Sequence, residues 1–152
     1  MNHDRPRLDQ INIVSGNLDA SIAFYRRLGV EIAESGIWRT QSGIHHVNAG
    51  RAAAGVTIDF ELDSVDFARI WNQGWRDRPD LRGKVLLGFK MPSRSAVDTA
   101  YADLTGTGHP GLHAPCDAFW GSRFAVLEDP DGIAVGLLSP RSPKHGSAPP
   151  EI

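Results

Sequence analysis

Phe124-Ala-Val-Leu-Glu-Asp129-Pro-Asp-Gly132-Ile-Ala-Val-Gly136-Leu-Leu138 reads as strand, tight turn, strand. Phe124 to Leu127 is apolar and β-prone. Pro130 fixes φ in the turn and Gly132 supplies a positive φ without steric cost. Ile133 to Leu138 then resumes the apolar run. The second arm has a counterpart upstream. Gly55-Val-Thr-Ile-Asp-Phe60 aligns with Gly132-Ile-Ala-Val-Gly-Leu137, glycine on glycine and apolar on apolar. The order of elements repeats with it, which points to a duplicated unit.

In the second half, Val85 to Met91 is an apolar strand and Pro92-Ser93 opens a helix. Val97, Ala100, Tyr101 and Leu104 share one face of that helix, and Gly106 and Gly108 end it. An irregular segment leads to the Asp129 hairpin. In the first half, Leu8 to Val14 alternates as a strand and Asn17 caps a helix. Leu18, Ile22, Phe24, Tyr25 and Leu28 form its apolar face, and Gly29 suits its C-terminal end. Val30 to Glu34 and Ile44 to Asn48 read as short strands, and Gly55 to Leu62 as the clearest strand of this half. The expected organisation is module one at 8–62, a linker at 63–82, module two at 83–140 and a disordered tail at 141–152. Phe67 to Trp75 reads as a short helix whose two tryptophans, Trp71 and Trp75, pack.

Apolar content of 41% and charged content of 22% describe an ordinary globular domain in 152 residues. A net charge of −2 removes the electrostatic case for nucleic acid. The single cysteine, Cys116, excludes an intramolecular disulfide and reads as a small buried residue. No apolar run reaches the roughly 20 residues of a membrane span, and the first residues lack a signal-peptide core. The expected location is cytoplasmic.

Two stretches carry a family likeness. Leu8-Asp-Gln-Ile-Asn-Ile13 with Asn17-Leu-Asp-Ala-Ser-Ile-Ala-Phe-Tyr-Arg-Arg-Leu-Gly29 resembles the opening strand and helix of the vicinal oxygen chelate superfamily. That group holds glyoxalases, bleomycin-resistance proteins and extradiol dioxygenases. Phe119-Trp-Gly-Ser-Arg-Phe-Ala-Val-Leu-Glu-Asp-Pro-Asp-Gly132 resembles its closing hairpin. The resemblance covers about residues 8 to 140. It implies an α+β fold of two tandem βαβββ modules whose curved sheets enclose a cavity, often in a homodimer. One fold hosts several chemistries, so function rests on the site.

The resemblance also implies metal ligands on the first and last strand of each module. Those positions fall on Gln10, Asp59, Leu86 and Gly136, and the last two cannot coordinate. A hard divalent ion takes about four to six oxygen or imidazole donors, so no metal and no cofactor are expected. His45 and His46 point to opposite faces of a strand, so only one faces the cavity; His46 joins the candidate lining. His109 and His113 flank a Pro-Gly loop, while His3 and His145 fall in the tails.

Strand parity extends the lining. With Gln10 inward, Leu8 and Asn12 follow; with Asp59 inward, Thr57 and Glu61 follow. Leu86, Gly88, Lys90, Ala134, Gly136 and Leu138 line the other wall, which is apolar and small-residued. Trp38 from a hairpin tip, and Trp120 with Phe119, add aromatic surface. Such a cavity suits an aromatic or amphipathic small molecule. The expected function is metal-independent binding of such a ligand, as in the antibiotic-sequestering members of the family. One alternative is an enzyme of lyase, isomerase or dioxygenase-like type. It would use a rearranged metal site of Gln10, Asp59 and a histidine, or Asp59 or Glu61 as a general base. A scaffold subunit is the third. Exposed apolar edges such as Val85 to Phe89 favour a homodimer.

Overall fold

The computed structural model describes residues 10–51, 58–71 and 85–148, and these divide into two compact units at Asp77/Arg78. The first unit runs β1 (Gln10–Ser15), α1 (Leu18–Leu28), β2 (Ile37–Thr40), β3 (Gly43–Arg51), β4 (Asp59–Ser64) and α2 (Val65–Trp71). The second runs β5 (Leu86–Lys90), α3 (Arg94–Gly106), β6 (Gly111–Asp117), β7 (Arg123–Glu128) and β8 (Ala134–Leu138). The sheets have strand orders β1-β4-β3-β2 and β5-β8-β7-β6, with one parallel pair each, β1·β4 and β5·β8. Each unit is therefore a βαβββ module, as the duplicated pattern predicts.

α1 starts where the Asn17 side chain accepts a hydrogen bond from the Ala20 N–H at 3.0 Å. It stops at Gly29, whose φ of 104° lies in the left-handed region open to glycine. Leu18, Ile22, Phe24, Tyr25 and Leu28 are buried. Tyr25 meets Phe60 of β4 edge-on at 4.9 Å between ring centroids. Ile13, Val47 and Leu62 lie side by side in the register and are buried with them. In the second unit α3, capped by Ser93, buries Val97 and Leu104, and Ala125, Val135 and Leu137 complete that core.

The 124–138 hairpin forms with a five-residue loop, Glu128 pairing with Ala134. Its closure is a carboxylate: Asp129 Oδ1 accepts from the Asp131 and Ile133 N–H groups at 2.9 and 2.8 Å. Gly132 takes φ 79° as the turn requires.

Several expectations change. Val30 to Glu34 is not a strand. Arg26 Nη2 reaches the Ile32 carbonyl at 2.8 Å and Glu34 at 2.8 Å, so the segment is held by α1 and its C=O is spent off the sheet. A 3₁₀ turn at Glu34–Gly36 follows, and the strand comes after it, at β2. Trp38 is therefore within a strand, not at a hairpin tip. The strand predicted at 55–62 is described from Asp59 and continues past Leu62 to Ser64; residues 55–57, including Thr57, lie outside the described residues, as do Leu8, His3 and Trp75. The irregular segment before the hairpin contains β6. It is an edge strand with register shifts on both sides of His113, the setting in which Pro115 is tolerated.

The stretch after Pro140, expected to be disordered, is bonded over its described part. Ser142 N–H donates to the Gly121 carbonyl at 3.0 Å and Ser147 N–H to the Phe119 carbonyl at 2.9 Å. A Cβ on Gly121 would strike the Ser142 backbone at 2.5 Å. The segment has few apolar groups, yet it is held by backbone bonds that hydrophobic patterning does not register.

Candidate functional site

The pleat places Phe60 and Leu62 of β4 toward α1, and hence Asp59, Glu61 and Asp63 on the opposite face. The parallel register sets Gln10 beside Asp59, Asn12 beside Glu61 and Val14 beside Asp63. From β3, Asn48 lies opposite Glu61 and His46 opposite Asp63; from β2, Trp38 lies opposite His46. This sheet face is thus almost wholly polar at its centre.

The groups are joined. Gln10 Nε2 donates to Asn12 Oδ1 at 2.7 Å. Asn12 Nδ2 donates to Glu61 Oε2 at 2.8 Å and to Asp63 Oδ2 at 3.0 Å. His46 Nδ1 is 2.6 Å from Asp63 Oδ1. Asp63 has no solvent exposure, whereas the His46 side chain keeps 27%. Among the described residues no buried side-chain nitrogen or oxygen lacks a partner, so the buried atoms of the network are satisfied.

α2 follows β4 without a loop. Ser64 Oγ accepts from the Phe67 N–H at 3.1 Å, and Phe67 lies across the face, 5.7 Å from the His46 ring and 5.3 Å from Trp38. Gln10, Asn12, His46, Glu61, Asp63 and Phe67 line a cavity of about 340 Å³. His46 also borders an open cleft of about 790 Å³ walled by Glu31, Ser35, Trp38 and Asn48. His46 is the residue common to both, and Trp38, 48% exposed, is the aromatic surface of the larger.

The structure brings together four residues singled out in the sequence, Gln10, Asn12, His46 and Glu61, with Trp38 beside them. Asp59 is Gln10's neighbour in register but does not line the cavity. Asp63, Phe67 and Asn48 are additions. Asp63 obeys the same parity as Glu61, two residues on; its carboxylate looked like the start of a linker because its partners, Asn12 and His46, are remote in sequence.

Gln10 in the first unit and Leu86 in the second each precede their helix cap by seven residues, so the two hold equivalent places on their strands. The match of Gly55 with Gly132, however, placed Gly136 against Asp59. The registers place it against Glu61: Asn12 pairs with Glu61 as Gly88 pairs with Gly136. Gly136 is buried, and a Cβ there would come within 2.9 Å of Leu86 Cδ2 and 3.4 Å of Phe124 Cε2. The space next to this glycine holds alkyl and ring atoms; it is not an open cavity floor. Trp120, in the turn before β7, packs on Phe124 at 5.3 Å with Phe119 beside it. Gly88 and Lys90 are exposed on β5.

The model of the Glyoxalase/Bleomycin resistance protein/Dioxygenase superfamily matches residues 7–137. The chain belongs to that superfamily. Similar solved structures include a family enzyme from Burkholderia phytofirmans, at 20% identity, TM-score 0.69, with 88% of this chain and 98% of that one covered. A glyoxalase-related enzyme from Fulvimarina pelagi aligns at 17% identity and TM-score 0.69 over 88% of each chain. A lactoylglutathione lyase from Agrobacterium tumefaciens aligns at 18% identity and TM-score 0.59, covering 90% and 95%. At these identities the likeness is one of fold. Among curated proteins, none matches the sequence significantly.

The metal positions that the family resemblance implies lie on the first and last strand of each module. Here the second module offers Leu86, Gly88, Ala134 and Gly136, none with a donor atom in its side chain. In the first, Glu61 and Asp63 are already engaged by Asn12 and His46. Among the described residues no three His, Cys, Asp or Glu side chains converge as a metal group. The residues do not fit the superfamily's metal.

Proposed function

We propose that this superfamily member binds a small aromatic or amphipathic molecule without a metal, on the polar face of its first module. The observation that carries this reading is the convergence of Gln10, Asn12, His46 and Glu61 on one cavity, beside a cleft with an exposed indole. A few convergent polar groups next to aromatic surface are the usual make-up of a ligand site. Glu61, half-buried with one oxygen bonded to Asn12, favours a cationic or hydrogen-bond-donating edge; Trp38 and Phe67 favour a flat body. Sequestration of such a compound, in a cytoplasmic homodimer, is the physiological form of the reading. Leu86 on the edge strand β5 and Val85 just before it, 47% and 40% exposed, support self-association.

Calorimetric titration with a panel of flat aromatic amines and amides tests it. Binding weakened by Trp38→Ala for all ligands, and by Glu61→Gln for cations more than for neutral ligands, is the expected result. Binding by no panel member, or binding indifferent to both substitutions, overturns it. Light scattering at micromolar concentration checks the dimer.

A further inference from the structure

His46 and Asp63 do more than line a wall. Asp63 is the most deeply buried carboxyl group on the polar face; its Oδ2 accepts a hydrogen bond from Asn12, and its Oδ1 lies 2.6 Å from His46 Nδ1. An ionised carboxylate has no proton to donate, so a neutral imidazole bonded to it carries its proton on Nδ1. The Nε2 lone pair is then free. His46 makes no other hydrogen bond among the described residues, and its exposed part borders both the cavity and the cleft. An imidazole held in one tautomer by a buried carboxylate, with its other nitrogen open to a ligand space, is the arrangement of a general base.

We propose that His46, positioned by Asp63, is a metal-independent general base that takes a proton from carbon in a conjugated, aromatic-bodied ligand. The inference rests on the reading that this face binds a small molecule. In the step, Nε2 accepts the proton from an acidic C–H, and the C–H electron pair moves into the ligand's own conjugated acceptor. The imidazolium so formed lies against the Asp63 carboxylate, which balances its charge. Return of the proton at a second ligand atom completes an isomerisation with no co-reactant. Phe67 meets the His46 ring edge-on, and Trp38 packs in turn on Phe67. Glu61, on the same face, has its Oε2 bonded to Asn12, which fixes its position near the reacting region. His46 is the catalytic residue of this scheme; Asp63 acts through it.

The test uses 5-nitrobenzisoxazole, a flat aromatic carbon acid. A base that removes its ring proton turns the C–H pair into the third bond of a nitrile; the N–O bond breaks and the oxygen leaves as a coloured phenolate. The intact protein is expected to release phenolate faster than free imidazole at equal concentration. His46→Gln should lower kcat about 100-fold, the scale of one general base. Asp63→Asn should lower kcat with KM unchanged, which a purely structural role would not produce. Because either variant can destabilise the sheet, the wild-type protein is also treated with diethyl pyrocarbonate. Modification mapped to His46 should abolish the rate. Calorimetric binding of the probe without His46-dependent turnover overturns the general base and leaves the binding reading standing. Failure of this probe to bind also overturns the inference, whereas the binding reading stands or falls on its own ligand panel.

Discussion

Asn12 and Gly88 occupy the same step of the first strand in their modules, Glu61 and Gly136 the same step of the last, and Asp63 and Leu138 the next. His46 opposite Asp63 corresponds to Phe124 opposite Leu138. On the helix side the two modules agree instead: Ile13, Val47 and Leu62 in one match Phe89, Ala125 and Leu137 in the other. The pleat separates the two faces of each sheet, so the helix-side core holds the fold while the other face is free to change. One module uses that freedom for a hydrogen-bonded polar network, the other for alkyl and aromatic groups. The second module places its charges elsewhere. Arg123 Nε donates to Asp98 at 2.8 Å and Nη1 to Asp117 at 3.0 Å, and Arg94 pairs with Asp117. This clamp ties α3 to β6 and β7.

If the helix-side core is what both modules rely on, its loss should cost most. Tyr25→Ala removes a ring with no exposure and should cost about 3–5 kcal/mol in denaturant unfolding. Tyr101→Ala, at the equivalent but half-buried position, should cost about half as much, since less area leaves water. Equal costs would break the comparison at its shared side.

The polar face comes next. Asp63→Leu gives the first module the residue of the second, but strands His46 and one bond of Asn12, and should cost about 3 kcal/mol. Adding His46→Phe completes the exchange and should recover most of that loss in thermal melting. A double variant no more stable than the single one would show that the two faces are not interchangeable.

A smaller effect is expected at Gly136. Gly136→Leu must displace Leu86 and Phe124, and overpacking should cost about 1–3 kcal/mol. Gly136→Ala should cost less, because Leu86 is 47% exposed and its tip can turn outward. An unchanged melting temperature for Gly136→Leu would restore an open space at that position.

The smallest effect fades in acid. The hydrogen bond from Arg123 holds the Asp117 carboxyl below its ordinary value, with Arg94 and Arg123 adding Coulomb attraction. A depressed folded-state value means the stabilisation is present above the unfolded-state value and lost as pH falls through the folded one. Asp117→Asn should therefore be slightly less stable than wild type at neutral pH, with a flatter acid limb, and the two stability curves should converge as pH falls below the ordinary aspartate range. Glu34, held low by its hydrogen bond from Arg26, should behave in the same direction in the first module.

By itself the sequence determined the duplicated βαβββ order, both long helices with their caps, the Asp129 hairpin and the parity that puts Gln10, Asn12 and Glu61 on one face. These are local matters: period-2 and period-3.6 patterning, a capping side chain and turn chemistry act within a few residues. Tertiary structure decided the rest. Arg26 reaching Ile32 and Glu34 kept 30–34 off the sheet, and backbone bonds held 142–147 against the turn before β7. The pairing of His46 with Asp63 and Asn12 with Glu61 joins residues 17 and 49 positions apart, and it exists only once β1, β3 and β4 lie in register. A charge read alone looks like solvent-facing linker; what made Asp63 part of the polar network is the set of partners that allowed it to be buried.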